Sequence, residues 1–278
     1  MILAVLAGYG FGQLWKIAQR RGIHAPTAIA VNYLVVGSLL SAWYLRQGEA
    51  LASPEAARMG ALIGALFVIS MLVMTRALVK GSVGPVLTSF RLAIVVPVTA
   101  SVLVWGERLG PAQAAGIVLA LTGLVLMTRG AAREPRTEGD SRKSGVLLLL
   151  PVLLCQGLGQ CAMDAVKYRN LNDERLHVLL AVGWTAGLLG TLVVAAMRYR
   201  PRAQDLAMGA FIGVYNTACL SLILTALGLF GAKVYFPVQG CAVVMLDNLT
   251  AHFLWQEKLT RLGLAGAVLG AVSMLLVF

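Results

Sequence analysis

Charged residues are scarce in this chain, and acidic residues are the scarcest. Only 13% of its 278 residues are charged, with 12 Asp or Glu against 23 Lys or Arg, so the formal net charge is +11. A soluble domain carries about twice that charged fraction. Together with a hydrophobic content of 59%, this shortage excludes a soluble globular class and predicts an all-α polytopic membrane protein.

The common catalytic and metal-binding motifs are also missing. No H-E-x-x-H or G-x-S-x-G occurs, the three histidines are scattered, and the four cysteines lie inside hydrophobic runs without metal-ligand spacing. The glycines from Gly8 to Gly12 follow no strand, so they do not form a nucleotide loop. We therefore expect no enzyme, no metal, no cofactor and, without a basic soluble module, no nucleic-acid partner.

Long hydrophobic runs dominate what remains, and each is about long enough to cross a ~30 Å hydrocarbon core. They predict ten transmembrane helices over 1–19, 27–45, 59–75, 82–106, 109–128, 144–163, 176–197, 206–232, 234–256 and 262–278. The longest polar segment is 129–144, and the other connections are too short for an extramembrane domain.

The second set of five runs echoes the first. Gly10-Phe11-Gly12-Gln13 matches Gly157-Leu158-Gly159-Gln160, Gly60 to Gly64 matches Gly209 to Gly213, and Trp105 to Leu109 matches Trp255 to Leu259. Because five is odd, the second copy must enter the membrane from the opposite side. Two inverted five-helix repeats, typical of secondary transporters, are predicted over 1–130 and 145–278, joined by a charged linker over 131–144.

The segment from Ser89 to Leu109, SFRLAIVVPVTASVLVWGERL, is followed by the glycine-rich GPAQAAGIVLALTGLVLM. Together with the two five-helix sets, this segment and the helix after it resemble the repeat ending of EamA-type members of the drug/metabolite transporter superfamily. The second copy of the motif departs from the pattern, because Gln256 stands at the position of Gly. The resemblance implies export of amino acids, other metabolites or toxic cations across a bacterial inner membrane. More distant relatives exchange nucleotide sugars or triose phosphates.

Lysine and arginine are unevenly divided between the two sides of the predicted bundle. Loops on the side of the termini hold seven of them, the opposite side holds fifteen, and Arg91 lies inside a run. The positive-inside rule then predicts a cytoplasmic linker 129–144, whereas the resemblance implies cytoplasmic termini. Both orientations stay open at this point.

Four ionisable residues lie within the runs: Lys16, Arg91, Asp164 and Asp247. Counted from the span ends, Arg91 and Asp247 have nearly equal depths, so we interpret them as a gate or an anchor for a zwitterionic substrate. The alternative is a structural pair or an arginine that snorkels to the interface. Lys16 and Asp164 lie nearer span ends, where snorkelling competes with a functional role.

Polar and aromatic residues in mid-span are candidates for a substrate cavity. Gln13 and its repeat counterpart Gln160 follow a G-x-G in both copies, and they stand at the depth where the smallest superfamily members carry a proton-coupling Glu. Interhelical hydrogen bonding is the alternative role for both amides. The further candidates are Tyr9, Tyr215, Asn216 and Gln239.

Function is predicted as secondary active transport by alternating access, with a small-molecule substrate exported from the cell. The alternatives are an exchanger or proton antiporter for an anionic solute, with H+ as the coupling ion, and a non-transporting accessory or lipid-handling membrane protein. Small residues in the fifth and tenth runs predict close helix packing, either within a monomer or across a homodimer. The lipid bilayer is the one partner that composition alone implies.

Overall fold

The computed structural model describes residues 1–48, 53–80, 86, 89–90, 92–131, 142–255 and 261–277. Within these residues the chain is helical and no strand is formed. The helices are α1 (Ile2–Arg20), α2 (Ala25–Gln47), α3 (Pro54–Lys80), α4 (Val95–Leu103), α5 (Pro111–Ala131), α6 (Arg142–Tyr168), α7 (Arg175–Ala196), α8 (Ala203–Phe230), α9 (Ala232–Trp255) and α10 (Arg261–Val277).

Prolines and glycines mark several of the helix boundaries. Pro26 lies in the first turn of α2, where its missing N–H costs no hydrogen bond. Gly48 ends the same helix at φ 68°, in the left-handed region that glycine enters without strain. Gly231, at φ 72°, separates α8 from α9, so two apolar helices follow one another with a single residue between them.

Length and composition confirm a multi-pass membrane protein. Five helices of the described chain are long and apolar enough to span a bilayer: Ala25–Gln47, Pro54–Ala77, Leu148–Tyr168, Arg175–Ala196 and Ala203–Phe230. Large apolar side chains on them are exposed, among them Leu188, Phe211 and Leu229, as expected for lipid-facing surfaces. The number of ten spanning helices and their inverted arrangement stay predictions.

The chain divides into two compact units, and each takes segments from both sequence halves. Unit 1 comprises Met1–Val68 and Ala162–Leu229, and unit 2 comprises Ile69–Cys161 and Phe230–Phe278. This division follows helix packing and does not test the predicted boundaries 1–130 and 145–278.

Unit 1 is built around the antiparallel pair α2 and α7. A Cβ added at Gly190 would lie 3.1 Å from Cα of Ala30, one at Gly187 would lie 2.8 Å from N of Leu34, and one at Gly183 would lie 2.8 Å from Cα of Gly37. Residue numbers fall along α7 as they rise along α2, which sets the antiparallel direction. The backbones of α2 and α7 are therefore in close contact at these glycines.

Unit 2 has a corresponding close pair, α5 and α10. A Cβ at Gly123 would lie 2.8 Å from the carbonyl oxygen of Gly266 and 3.1 Å from N of Gly270. Cys241 of α9 is buried beside them, with Sγ 3.7 Å from Oγ of Ser273. The small residues predicted in the fifth and tenth runs thus pack against each other within the chain.

Candidate functional site

Three predicted site residues lie on one face of α1, in unit 1. Tyr9, Gln13 and Lys16 are spaced four and three residues apart, which aligns their side chains along a helix. All three are half-buried. We name these three residues the α1 stripe. It offers a phenol, an amide and an ammonium group within one apolar helix.

Tyr215 of α8 binds the backbone of α1. Its hydroxyl donates to the carbonyl oxygen of Ala7 over 3.1 Å. The end of its ring lies directly against Gly10, where any Cβ would collide with Tyr215 Oη. The first glycine of Gly10-Phe11-Gly12-Gln13 is thus small because the Tyr215 side chain occupies the space beside it. A direct substrate contact by Tyr215 stays a prediction.

The side chain of the next residue, Asn216, contacts α2 instead. Its Nδ2 donates to Oδ1 of Asn32 over 3.1 Å, and both side chains are almost wholly buried. An amide pair in an apolar interior satisfies both polar groups and holds two helices in register. Asn32 was not singled out from the sequence, although a lone amide in an apolar run was the available signal.

In unit 2, α6 carries two glutamines one turn apart. Ser70 donates to Oε1 of Gln156 over 2.9 Å. The Oε1 atom of Gln160 is buried and accepts no hydrogen bond from the part of the chain that the structure describes. Gln156 and Gln160 lie 147 positions after Tyr9 and Gln13, so they correspond in the sequence repeat to two of the three residues of the α1 stripe.

The remaining predicted residues are placed as follows. Gln239 is half-buried in α9, and Asp164 is fully buried in the last turns of α6. Arg91 lies outside the described residues, and the side chain of Asp247 is likewise not described. The Arg91–Asp247 pair therefore stays a prediction.

One buried acid was missed by sequence reasoning. Asp205, in the first turn of α8, is wholly buried and accepts hydrogen bonds from the backbone N–H of His24 at 2.9 Å and of Arg202 at 3.0 Å. The Tyr199 hydroxyl donates to it at 3.0 Å. The available signal was weaker than a capping box, because Arg202 stands where that motif has Ser or Thr and only the acid three residues later is present.

The same network joins the α1–α2 loop to the α7–α8 loop. The ring of His24 stacks on that of Tyr199 with centroids 3.6 Å apart, and Arg202 Nη2 donates to the carbonyl of Gly22 at 2.6 Å. Burial lowers the pKa of His24 below its ordinary value, against the opposing effect of the Asp205 carboxylate, while Arg202 lowers it further. His24 is therefore neutral at pH 7.

At the other end of α2 and α7, a second set of side chains binds the helices. The rings of Tyr44 and His177 stack with centroids 4.1 Å apart, and Tyr44 Oη is 3.3 Å from His177 Nδ1. Ser53, before α3, donates to Glu174 at the start of α7. Side-chain contacts therefore stabilise unit 1 at both ends of the α2–α7 pair.

No group of three His, Cys, Asp or Glu side chains able to hold a metal ion occurs within the described ranges.

Comparisons with known proteins find a family match in the first half of the chain and similar proteins over nearly its whole length. Residues 1–129 match the EamA-like transporter family. An uncharacterized protein of Haemophilus influenzae is 23% identical over 286 residues, covering 96% of this chain and 93% of the relative. A solved crystal structure of a protein has the same fold, with a TM-score of 0.78 at 17% identity, over 99% of this chain and 97% of that one.

The match over residues 1–129 confirms the resemblance to the drug/metabolite transporter superfamily that was inferred from the sequence.

Proposed function

We propose that the protein is a secondary active transporter of the bacterial inner membrane that exports small metabolites, amino acids or amphipathic cations, by alternating access. The observation that carries the proposal is the EamA match over 1–129, in a segment whose first helix bears the half-buried α1 stripe. In this proposal, Gln13 in unit 1 and Gln160 in unit 2 are each a candidate amide for substrate binding, and they hold corresponding positions in the sequence repeat. Ionisable and amide groups in apolar helices are typical of such paths.

The helix packing inside unit 1 supports the inverted-repeat part of the proposal. Helix α2 packs antiparallel to α7, its counterpart in the repeat. Gly64 of α3 would place a Cβ 3.0 Å from the Val182 carbonyl of α7, and Gly213 of α8 would place one 2.7 Å from the Asn32 carbonyl of α2. The glycine motif of α3 therefore packs on α7, and its repeat in α8 packs on α2. Each copy thus contacts the second helix of the other sequence half, which is the exchange expected for two repeats related by a two-fold axis.

A screen of the purified protein for thermal stabilisation identifies the substrate class. Amino acids, nucleosides, sugars and quaternary amines are compared, because a specific ligand raises Tm by mass action. Uptake of the stabilising ligand into proteoliposomes is then measured under two conditions, with a proton gradient or with counter-substrate inside the vesicles. Drive by the proton gradient alone supports an antiporter, and drive by counter-substrate supports an exchanger. Ligand binding without any flux would contradict transport and favour the accessory function.

Replacing Gln13 or Gln160 by Ala is expected to reduce transport at limiting substrate by about tenfold. That is the factor for roughly 1.4 kcal/mol, about the net value of one hydrogen bond. The rate is measured in proteoliposomes, beside Tm in the same preparation. Gln19→Ala is the matched control, because Gln19 is an exposed amide near the end of the same helix. Normal transport by both Gln13→Ala and Gln160→Ala would remove the two amides from the substrate path.

We further propose that the 129–144 linker is cytoplasmic, from the excess of Lys and Arg on its side of the membrane. A cysteine at Ser141, which lies outside the described residues, should resist membrane-impermeant thiol reagents in intact cells and react after the cells are opened. The same substitution at Arg46, in the last turn of α2, should give the opposite result. Ready labelling at Ser141 in intact cells would instead place the termini in the cytoplasm.

A further inference from the structure

Three exposed arginines lie at one end of unit 1. Arg21 follows the end of α1, and Arg198 and Arg200 lie in the loop between α7 and α8. We name these three residues the arginine patch. Arg202, nearby, is already engaged in an ion pair with Asp205, with Nη2 and Oδ1 3.3 Å apart, so it is not counted in the patch.

The Asp205 network holds the two loops of the arginine patch side by side. Asp205 binds the N–H of His24 from one loop and the N–H of Arg202 from the other. Tyr199 stands between Arg198 and Arg200 in sequence and stacks on His24. Arg21 is therefore brought toward Arg198 and Arg200 by buried hydrogen bonds and ring stacking, in spite of their mutual charge repulsion.

Nothing acidic in these segments offsets the arginine patch. Residues 1–48 contain no Asp or Glu, and Asp205 is the one acid between 175 and 206. The Asp205 carboxylate is fully buried and saturated by its donors. The patch of Arg21, Arg198 and Arg200 therefore presents three positive charges to an external anion.

Apolar side chains adjoin the arginine patch on the side toward the helix interiors. Ile17, one turn before Arg21 in α1, is 40% exposed, and Met197, next to Arg198, is 53% exposed. Leu192, further along α7, is 64% exposed. The surface therefore changes within about one helical turn from charged to apolar, as happens at the headgroup level of a bilayer.

We propose that the arginine patch binds the headgroup of an anionic phospholipid, with the acyl chains lying along Ile17, Met197 and Leu192. Guanidinium groups bind phosphate oxygens through paired hydrogen bonds. The adjoining apolar surface favours a lipid over a soluble anion, which would leave those side chains without a partner. The bound lipid bridges the α1 and α7 ends and stabilises unit 1. This inference needs a membrane-spanning chain, and it does not depend on the transported substrate.

The test compares the full-length protein in phosphatidylcholine nanodiscs with and without phosphatidylglycerol. Phosphatidylglycerol should raise Tm of the unmodified protein by about 5 °C, and native mass spectrometry should show phosphatidylglycerol retained on the protein. The triple variant Arg21→Gln, Arg198→Gln, Arg200→Gln should lose most of both effects. Its matched control changes three exposed arginines elsewhere in unit 1, Arg46→Gln, Arg58→Gln and Arg169→Gln.

Loss of the lipid effect in the patch variant and its retention in the control support the proposal. An equal effect in both, or an equal loss in both, would overturn it, since bulk attraction to a charged bilayer would then be sufficient. Inorganic phosphate that raises Tm equally in phosphatidylcholine nanodiscs would also overturn it. Should the triple variant fail to fold in phosphatidylcholine, the three single variants decide: each must lose part of the rise, and full rises in all three refute the site.

Discussion

Gly183→Ala is expected to lower Tm by about 2–8 °C, a net loss of ~1–2 kcal/mol once the helix preference of Ala over Gly is included. Gly183→Leu is expected to prevent accumulation of the protein in the membrane. Overpacking of a tight interior costs ~1–3 kcal/mol, and each kcal/mol corresponds to about 2–4 °C in a chain of this size. The new Cβ would lie 2.8 Å from Cα of Gly37 and 3.0 Å from the carbonyl oxygen of Tyr33. These are backbone atoms of α2, so α2 and α7 must separate to admit it.

The control is Gly12→Ala in α1, where a new Cβ meets nothing within 4 Å. Both substitutions exchange Gly for Ala inside a helix, a change that favours the helix by ~1 kcal/mol. Only the Gly183 variant introduces a backbone collision, so the two variants should differ in the sign of their effect on Tm. The measurement is thermal unfolding of the detergent-solubilised protein. A stabilised Gly183→Ala variant would show that α2 and α7 are less closely packed than described.

The helices themselves could be predicted well from hydrophobic runs. The runs 27–45 and 262–278 become α2 (Ala25–Gln47) and α10 (Arg261–Val277). This works because a spanning helix must be apolar along its length, so its ends coincide with a change of composition. Gly231 marks the boundary between α8 and α9. The hydrophobic runs 206–232 and 234–256 predict this boundary within two residues of its observed position.

Helix partners could not be predicted in the same way. Gly209 to Gly213 was interpreted as the echo of Gly60 to Gly64, and the repeat itself carries no information on what either motif touches. The structure packs the first on α2 and the second on α7. In a membrane every helix is apolar on most sides, so periodicity does not distinguish a lipid-facing side from a helix-facing one.

The polar candidates show the same limit. Tyr215 and Asn216 were predicted as site residues from their presence in an apolar run, because a polar side chain there is expected to have a specific role. Their observed partners, the Ala7 carbonyl and the Asn32 amide, belong to helices about two hundred positions earlier in the chain. Sequence spacing predicts which residues share a helix face. It does not predict that the hydroxyl of Tyr215 donates to a backbone carbonyl as distant in sequence as that of Ala7.

Asp205→Ala is expected to lower Tm by about 6–12 °C, corresponding to roughly 3 kcal/mol, the lower bound for three unpaired donors. The substitution leaves the N–H groups of His24 and Arg202 and the hydroxyl of Tyr199 without their acceptor. Each unsatisfied buried donor costs ~1–3 kcal/mol. The Arg202 side chain is 51% exposed, so solvent screens its ion pair and the loss of that pair adds little.

Two further variants separate the network from a general charge effect. Tyr199→Phe removes one donor and keeps the ring stacked on His24, so its Tm should lie between those of Asp205→Ala and the unmodified protein. Asp173→Ala removes an exposed carboxylate before α7 and should leave Tm nearly unchanged. Equal losses for Asp173→Ala and Asp205→Ala would mean that the carboxylate acts only through net charge. The ordered series instead follows from a buried acid that joins two loops, because the stability lost then scales with the number of donors left unpaired.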